Sequence, residues 1–522
     1  MLAESVHRNI FLFGLFLIAI GLSVGAIFLS LGIIIVSGNW LIEGNYSNKI
    51  YEIKTNKFLW VFLSFFFLHI IGLLWSDDLY FGGNDIKVKL PLFALPLVFA
   101  TTKKLNEAEL KSLLIIYLLG IFFSTLWSMV FFLGLRNLEA NDVRGISRFY
   151  SHIRFSMNIV YGIFISIYLS ANLENKINKI LIAICGVWFT AFLFILSSLT
   201  GIVFFLILLL LLLFYLSLHQ KNKNLKFILI GTIISFVALP AIYLISTYNY
   251  FFPIIEQENS KLEQWTPAGD LYFHEKDLSR ENGYFVWRHI SYKELESSWN
   301  KKSKINFNDL DQKGNSIKFT LIRYMTSLGL KKDSLSFTKL QNQDIKNIEN
   351  GTPNYKLSTA GTLQKRVYDM FWEMNDYLNY GHLRNHSIMV RVLYWKTAWK
   401  IIKENAVFGV GIGDIQVEFE KHYLPEKVFH SRSEMRRAHN QYIEIWATLG
   451  IFGLLLLLIL TFYPLIKSKD LHVLFLPIGL ILMFSMFTED TLETQAGVSL
   501  FAFFIPFFVF LVHRDAKADI TS

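Results

Sequence analysis

The 522-residue sequence contains a single cysteine and few charged residues, and each shortage excludes a class of protein. Cys185, inside an apolar run, is the only cysteine. Because a disulfide needs two cysteines, the chain cannot form an internal one, and any extracytoplasmic part must be held together by packing. Charged residues make up 17% of the chain, whereas soluble globular chains carry roughly 25%. Because 53% of the residues are hydrophobic, the composition predicts an integral membrane protein. The net charge of +9 does not indicate a nucleic-acid partner, because most lysines lie in short loops between apolar runs.

Apolar runs long enough to cross a bilayer, about 17 to 25 residues each, occur throughout the chain. Residues 9–38 are too long for one straight span, and Gly21 and Gly25 predict two helices joined by a tight turn. Further spans are predicted at 57–75, 83–101, 111–134, 155–172, 177–196, 200–217, 225–247, 445–466, 471–487 and 496–512. The predicted fold is therefore an all-α integral membrane protein with about twelve transmembrane helices.

The distribution of lysine and arginine among the short loops predicts the orientation. With the N-terminus in the cytoplasm, the lysine-bearing loops fall inside, and the loops 75–78, 197–201 and 488–493, which lack lysine and arginine, fall outside. The even number of spans returns the C-terminus to the cytoplasm. Because no cleavage site follows the first apolar run, we expect a retained first helix rather than a signal peptide. The polar stretch 248–444, between the ninth and tenth spans, is then extracytoplasmic, and periplasmic in a cell with two membranes.

This polar stretch carries enough aromatic residues for a packed domain. Its segments 318–330, 333–349 and 362–381 have helical patterns, and 283–292 has the pattern of a strand. We therefore predict a large, mostly helical extracytoplasmic domain inserted into the membrane part. The predicted division is 1–247 for transmembrane helices 1–9, 248–385 for the inserted domain, 386–444 for a membrane-proximal catalytic loop, and 445–522 for transmembrane helices 10–12 with a cytoplasmic tail.

The outer loop 135–154 departs from the charge bias. It carries Arg136, Arg144, Arg148 and Arg154 on the side where basic residues are disfavoured. One interpretation is pairing with acidic neighbours or with lipid headgroups. The other is a site for a phosphate-bearing lipid, since the planar guanidinium binds phosphate oxygens in pairs. Lys87 and Lys89, at the outer end of the fourth span, could join such a site.

The predicted catalytic loop begins with a helix at 389–403. Val392, Trp395, Trp399 and Ile402 recur at helical spacing and predict one apolar stripe of an amphipathic helix, with Arg391 beside it. After this helix come Gly409, Gly411 and Gly413. A nucleotide-binding loop is disfavoured, because no strand precedes the glycines and no ATP is supplied outside the membrane. The glycines instead predict a sharp turn, after which Asp414 is expected to cap the next helix.

His439 and Asn440 stand just before the apolar run that begins near Ile443, among Arg432, Arg436 and Arg437. An isolated histidine near an interface can be purely structural. A neutral imidazole can, however, accept a proton from a hydroxyl at neutral pH, and nearby guanidinium groups can stabilise a departing diphosphate. Together these are the two requirements for transferring a sugar from a lipid diphosphate to an acceptor hydroxyl.

No metal site is predicted. His422, His430 and His439 lie in one segment but lack the spacing of zinc ligands. The acidic pairs Asp77-Asp78 and Asp309-Asp311 remain weaker candidates for a divalent ion.

The sequence resembles the O-antigen ligase and polymerase family of membrane glycosyltransferases. The resemblance rests on RVLYWKTAW at 391–399, NAVFGVGIGD at 405–414 and HNQYIEIWATLGIFGLLLL at 439–457. The segment WSDDLYFGGNDIKVKLPLFALPL at 75–97 resembles an early segment of the same family. The order and spacing of these motifs are more specific than any one of them.

This resemblance implies a donor glycan carried on undecaprenyl diphosphate, and neither a cofactor, a metal nor a nucleotide sugar. It also implies a bacterial inner membrane location with the large loop in the periplasm. Arg391 and His439 match two basic residues of the family. A third, an arginine in a short outer loop, is expected where this chain has Leu199, so Arg148 or Arg154 would have to supply the missing charge.

We therefore expect an inverting, metal-independent glycosyltransferase, foremost an O-antigen ligase whose acceptor is lipid A-core. The alternatives are a polymerase that extends a growing glycan, a protein O-oligosaccharyltransferase and, more remotely, a polysaccharide transporter. The predicted catalytic residues are His439 and Arg391. The predicted diphosphate-binding residues are Arg154, Arg148, Arg436, Arg437 and Lys87. The residues predicted to shape the site are Trp395, Gly409, Gly411, Gly413 and Asn440.

Overall fold

The structure is a computed structural model that describes residues 3–135, 143–253, 262–275, 279–381, 383, 388–424, 429, 435–467 and 472–512. The described chain is mostly helical, in agreement with the predicted all-α membrane class. Among these residues, 9 helices are long and apolar enough to cross a membrane, or up to 10 if the bent pair Ala26–Ile42 and Tyr46–Thr55 forms one span. The number of twelve spans and their orientation stay predictions.

The helices of the first half follow the predicted apolar runs, except the third, which lies on no predicted run. They are α1 (Glu4–Val24), α2 (Ala26–Ile42), α3 (Tyr46–Thr55), α4 (Lys57–Ile71), α5 (Leu79–Lys89), α6 (Pro91–Thr101), α7 (Glu107–Phe132), α8 (His152–Asn172), α9 (Lys176–Leu196), α10 (Leu199–His219) and α11 (Lys223–Phe251). The break between α1 and α2 falls at Gly25, as the sequence predicts. The predicted fourth span corresponds to α5 and α6 together, with Pro91 at the start of α6.

Buried polar side chains connect α1, α7 and α8. The Ser124 hydroxyl of α7 donates to the carbonyl of Ser23 at 2.8 Å. The Asn158 amide of α8 donates to the carbonyl of Leu22 at 2.7 Å and accepts from the Tyr117 hydroxyl of α7 at 2.8 Å. Polar groups inside a membrane protein need such internal partners, because the bilayer core offers none. These contacts fix α8, whose first turn carries Arg154.

Residues Leu212–His382 form a compact unit of their own, referred to below as the inserted unit. After α11 it contains β1 (Arg280–Glu281), β2 (Tyr284–Phe285), α12 (Tyr292–Lys302), α13 (Ile317–Ser327), α14 (Ser334–Phe337), α15 (Asn342–Glu349) and α16 (Thr362–Tyr380). Its main core is built around Trp299, Leu321 and Phe337. The predicted helical segments are confirmed, except that 333–349 is divided between α14 and α15.

The predicted strand at 283–292 is largely wrong. Only Tyr284–Phe285 is a strand, and it pairs antiparallel with Arg280–Glu281 across the turn at Asn282-Gly283. Both turn residues have positive φ, as Asn-Gly hairpin turns require. The extended run ends early because the chain turns at 286–289. Ser291 then caps α12, with its side chain accepting from the backbone N–H of Glu294.

The rest of the chain, Met1–Leu211 with Leu383–Ser522, forms the other compact unit, referred to below as the membrane unit. Its later helices are α17 (Val390–Glu404), α18 (Ile415–Tyr423), α19 (Gln441–Lys467), α20 (His472–Thr488) and α21 (Gln495–Pro506), the last continued by a π-helical turn at Phe507–Val512. All predicted catalytic and diphosphate-binding residues belong to this unit.

Candidate active site

Helix α17 presents Arg391 in its first turn. Its buried face consists of Leu393, Tyr394, Thr397, Ala398, Ile401 and Ile402. Trp395 and Trp399 are 39% and 47% exposed, so the predicted apolar stripe is not the buried face of the helix. In a membrane protein, apolar side chains can face lipid as well as a core, and tryptophan is enriched at the membrane interface. Hydrophobic spacing alone therefore could not identify the buried face.

The glycine turn after α17 is confirmed. Gly409 and Gly411 have φ of 71° and 89°, which side chains rarely adopt. The Gly411 N–H donates to the carbonyl of Thr448 on α19 at 2.9 Å, and a methyl group on Gly409 would collide with that carbonyl. The Gly413 N–H donates to the Ser76 hydroxyl at 3.1 Å. The turn thus ties the end of α17 to α19.

The predicted capping role of Asp414 is wrong. Asp414 stands at the N-cap position of α18, but its side chain makes no capping hydrogen bond there. Its carboxylate accepts from the backbone N–H groups of Asp77 at 2.9 Å and Asp78 at 3.0 Å. Backbone N–H groups at the start of a helix lack intrahelical partners. The N–H groups of Asp77 and Asp78, at the start of α5, bind the Asp414 carboxylate, which therefore does not cap α18.

Asn440 immediately precedes α19 and caps its first turn. Its side-chain oxygen accepts from the backbone N–H groups of Tyr442 at 3.1 Å and Ile443 at 3.2 Å, as an N-cap asparagine does. His439 precedes this cap with φ of 46°. Such a conformation costs a non-glycine residue about 1–3 kcal/mol and is concentrated at functional sites. The cap therefore holds His439 in a defined, strained position.

The segment 488–493, between α20 and α21, brings the two predicted catalytic residues together. One guanidinium nitrogen of Arg391 donates to the carbonyl of Thr488 at 2.5 Å, and the other lies 3.1 Å from a carboxylate oxygen of Glu489. His439 Nδ1 lies 3.3 Å from Oδ2 of Asp490. Because Glu489 and Asp490 are consecutive, Arg391 and His439 share one site.

The environment of His439 favours the neutral imidazole. Its ring lies 5.7 Å from the ring of Tyr394 on α17, measured between centroids. Burial, together with the positive charges of Arg391, Arg436 and Arg437, lowers the pKa of His439 to about 4. At neutral pH the ring can therefore accept a proton.

His439 and Asp490 retain unused hydrogen-bonding capacity. Within the described part of the chain, His439 Nδ1 and Asp490 Oδ1 are buried and have no hydrogen-bond partner. Burial raises the pKa of Asp490, and the nearby carboxylate of Glu444 raises it further. A small rotation would let Nδ1–H donate to Asp490, which would leave the lone pair of Nε2 for another molecule.

A buried ionic cluster holds the 488–493 segment in place. Arg437 lies 3.1 Å from both Glu444 and Glu493, and buried Lys89 lies 2.6 Å from Asp85 and 3.1 Å from Glu493. Burial alone would raise the pKa of Glu493, but Lys89 and Arg437 outweigh it and hold that pKa well below its usual range. Arg437 and Lys89 are thus already paired with carboxylates. A cation that binds phosphate would instead need to be available for the ligand.

The remaining predicted phosphate-binding residues differ in their surroundings. Arg436 is exposed and contributes positive charge at His439. Arg148 is exposed over the ring of Phe131, 5.1 Å from its centroid, and Lys87 is exposed and donates to the Asn84 amide oxygen at 3.1 Å. Among the described residues, neither Arg148 nor Lys87 belongs to the charges that act on His439. The side chains of Arg136, Arg144, His430 and Arg432 lie outside the described part of the structure.

Arg154 lies close to the site. It is half-buried in the first turn of α8 and interacts electrostatically with Glu489, the partner of Arg391. The Ser198 hydroxyl, just before Leu199, donates to the Ser156 hydroxyl of α8 at 3.1 Å. The start of α10, where the resemblance places a third arginine, therefore lies beside the turn that carries Arg154.

Sequence reasoning missed the acidic side of the site. Glu489, Asp490 and Glu493 lie in a segment that the sequence marked only as an outer loop without lysine or arginine. A usable signal was present, because charges at a membrane edge are costly and require partners. For metal ions, the described residues include no group of three or more His, Cys, Asp or Glu side chains that could hold one.

Comparison with known families gives one match. Residues 354–458 match the model of a family described as O-antigen ligase, over roughly a fifth of the chain. The match includes Arg391, the glycine turn and His439, whereas Arg154 and the 488–493 segment lie outside it. It supports the resemblance seen in the sequence and implies a glycosyltransferase-type enzyme acting on lipid-linked glycans. No curated protein matches the chain.

Proposed function

We propose that the protein is a lipid-dependent glycosyltransferase of the O-antigen ligase type. It moves a glycan from undecaprenyl diphosphate to a hydroxyl of lipid A-core at the outer face of the bacterial inner membrane, without a metal ion. The observation that carries the proposal is the shared 488–493 segment, on which Arg391 and His439 contact consecutive residues.

Donor binding is assigned to the arginines that are not enclosed by carboxylates. Among the described residues, Arg391 forms an ion pair with the carboxylate of Glu489, and Arg154 interacts with the same carboxylate. Arg436 is exposed beside His439. A diphosphate entering between these guanidinium groups would compete with Glu489 for them, and the planar fork of arginine can bind two phosphate oxygens at once. Arg437 stays in the scaffold in this proposal.

The proposed reaction is a single displacement. Nε2 of His439 accepts the proton of the acceptor hydroxyl while that oxygen forms a bond to the anomeric carbon. The bond between the anomeric carbon and the diphosphate oxygen breaks, and the electron pair leaves with undecaprenyl diphosphate. Arg391, Arg154 and Arg436 stabilise the charge that develops on the leaving group. Attack from the opposite face inverts the anomeric configuration.

Asp490 is proposed to orient the base in its ionised form, which the positive charge of Arg437 favours against the effects of burial and Glu444. A carboxylate that accepts from Nδ1–H fixes the ring and directs the lone pair of Nε2 to the acceptor, which is the role of the aspartate in hydrolase triads. The separation of 3.3 Å between Nδ1 and Oδ2 is consistent with a bond that shortens when substrate arrives.

A polymerase is the second candidate, because one observation favours it. The chain has Leu199 where the resemblance to ligases leads one to expect an arginine. The proximity of α10 to the Arg154 turn offers a replacement for that charge, so the ligase remains the preferred function.

Deletion of the gene and complementation with single variants test the proposal. Glycans would be separated by gel electrophoresis after extraction of lipopolysaccharide. Loss of all long glycan from lipid A-core supports a ligase, and a single repeat unit on the core supports a polymerase. Unchanged lipid glycans with unglycosylated proteins would point to protein glycosylation. Unchanged glycans on both lipid and protein would contradict the proposal.

A further inference from the structure

A groove with a volume of about 380 Å³ lies inside the inserted unit, at the end of α11. This volume falls within the range of about 300–1,000 Å³ typical of small-molecule sites. Aromatic side chains form one part of its wall and hydrogen-bonding side chains form another. Its lining includes Tyr248, Phe252, Trp372, Asn375, Asp376 and Asn379. None of these residues takes part in the site around His439.

One face of α16 supplies most of this lining. Trp372, Asn375, Asp376 and Asn379 are spaced by three and four residues, so they project from one side of the helix. The Asn379 amide nitrogen donates to the backbone carbonyl of Asn375 at 2.8 Å, which leaves its amide oxygen directed elsewhere. Within the described part of the chain, the Asn375 amide forms no hydrogen bond. The groove therefore offers donors and acceptors beside an aromatic surface.

The aromatic wall is fixed before any ligand binds. The rings of Tyr248 and Phe252 are stacked with centroids 5.2 Å apart, and Phe252 stacks on Tyr368 at 5.8 Å. The guanidinium of Arg323 lies 4.3 Å from the centroid of Trp372. Rings held in this way lose little freedom on binding, which favours affinity.

The chemistry of the groove suits a sugar. A pyranose presents flat C–H faces that pack on aromatic rings, and its edge carries hydroxyl groups that both donate and accept. Asparagine offers both kinds of group, and a carboxylate accepts from neighbouring hydroxyls. A phosphate headgroup would require several cations, whereas Arg280 here stacks on Phe285 at 4.4 Å, and Asp376 adds a negative charge.

We propose that this groove is a glycan-binding subsite of the inserted unit, occupied by sugar residues of the polysaccharide that the enzyme handles. The proposal rests on the function proposed above and names a second place where the glycan is held. The predicted topology puts the end of α11 on the outer side of the membrane, where the glycan is present. Binding there would retain the chain independently of the contacts made by its diphosphate.

Binding is tested with the full-length protein in detergent. The probe is a set of short oligosaccharides released by mild acid from the surface polysaccharide of the producing cell, with dextran as a sugar control. The His439→Ala background is used in every sample, so that catalysis does not contribute. Affinity is measured by calorimetry and by tryptophan fluorescence.

The test variant combines Asn375→Ala and Asn379→Ala, and the matched control is Asn342→Ala, an exposed asparagine of the same unit outside the groove. Loss of two hydrogen bonds should weaken oligosaccharide binding about tenfold, with the control unchanged. Equal affinity in the double variant and its parent overturns the proposal, and so does equal weakening in the control.

The two proposals fail in different ways. If His439→Ala still transfers glycan in cells, the catalytic assignment fails while the binding result stands. If the parent protein binds no oligosaccharide but its tryptophan fluorescence responds to phosphatidylglycerol nanodiscs, the groove is a lipid contact and the glycan subsite is rejected.

Discussion

The two compact units each contain a buried arginine–glutamate cluster, and the clusters differ in how completely their polar atoms are paired. In the inserted unit, Glu281 is 2% exposed and pairs with Arg323. It also accepts from the Tyr368 hydroxyl at 2.9 Å and from the Asn354 amide at 2.9 Å. Each charge has its partner, so this cluster serves to hold β1, α13 and α16 together.

The cluster of the membrane unit lies beside buried polar atoms that are not all paired among the described residues. Arg437 and Lys89 are shared among Glu444, Glu493 and Asp85. Beside it, buried atoms of His439 and Asp490 lack hydrogen-bond partners within the described residues. A buried polar atom without a partner costs about 1–3 kcal/mol. We propose that the fully paired cluster is structural, and that the unpaired groups of His439 and Asp490 mark the place where a substrate binds.

Removal of the imidazole should have the largest effect. His439→Ala deletes the proposed base, and loss of a general base typically lowers rates about 10²–10⁴-fold. We expect transfer of long glycan to be abolished in complemented cells, with normal amounts of protein in the membrane by immunoblot. His422→Ala, which removes a histidine from the preceding helix, is the control and should leave transfer intact. Normal transfer by His439→Ala would remove this residue from the mechanism.

The comparison is tested by two matched variants, in each of which one carboxylate is replaced by its amide: Asp490 in the membrane unit and Glu281 in the inserted unit. Asp490→Asn should lower the transfer rate about 10²–10⁴-fold, because the amide can donate to Nδ1 and favour the wrong tautomer. Its thermal unfolding in detergent should change little, since Asp490 forms no closed ion pair. The measurement is the rate of glycan transfer by the purified variant.

Glu281→Gln is the counterpart in the inserted unit. It leaves the buried charge of Arg323 without its carboxylate, which typically costs about 3–5 kcal/mol of stability. Its thermal unfolding midpoint should fall, while transfer per folded molecule at low temperature stays at the parent level. A reversal, with activity lost in Glu281→Gln and stability lost in Asp490→Asn, would break the comparison.

The fork of Arg391 should matter as well as its charge. Arg391→Lys keeps the charge but cannot hold Thr488, Glu489 and a phosphate together. Losing a charge-assisted hydrogen bond of about 1.5–3 kcal/mol corresponds to a roughly 10- to 100-fold increase in KM for the lipid-linked donor. Lys396→Arg, on the exposed side of α17, is the control. Full activity in Arg391→Lys would argue against diphosphate binding there.

The smallest expected effect concerns the pH dependence of kcat/KM. Because burial and the three neighbouring arginines lower the pKa of His439 to about 4, the neutral base should persist as pH falls below its ordinary value of 6.5. The acid limb of kcat/KM, which reports the free enzyme, should therefore lie near pH 4. An acid limb near 6.5 would mean that His439 is solvated in the working enzyme, or that another group limits the rate.

Much of the fold could be predicted from sequence because transmembrane helices leave long apolar runs. The predicted runs fall on helices, and Gly25 marks the first break as expected. The packed face of α17 could not be predicted, because Trp395 and Trp399 are apolar and yet exposed. In a membrane, lipid competes with the protein core for such side chains.

The basic residues of the candidate site could be predicted from the sequence, but its acidic residues could not. Arg391, the glycine turn and His439 lie in recognisable motifs, and the turn is confirmed. The partners Glu489 and Asp490 come from a loop distant in sequence, and local pattern alone does not reveal which loops meet. Arg154 was predicted as a diphosphate-binding residue from its place in an anomalous loop, and its proximity to Glu489 emerged from the packing of α8.

The central claim is that Arg391 binds the donor diphosphate and His439 activates the acceptor at one site. It is tested most directly in proteoliposomes, by measuring donor binding and single-turnover transfer from purified undecaprenyl-diphosphate glycan to lipid A-core. His439→Ala should bind the donor with the Kd of the parent protein and transfer none of it, whereas Arg391→Lys should bind more weakly. Transfer by His439→Ala at the parent rate, or failure of the parent protein to bind this donor, would contradict the claim.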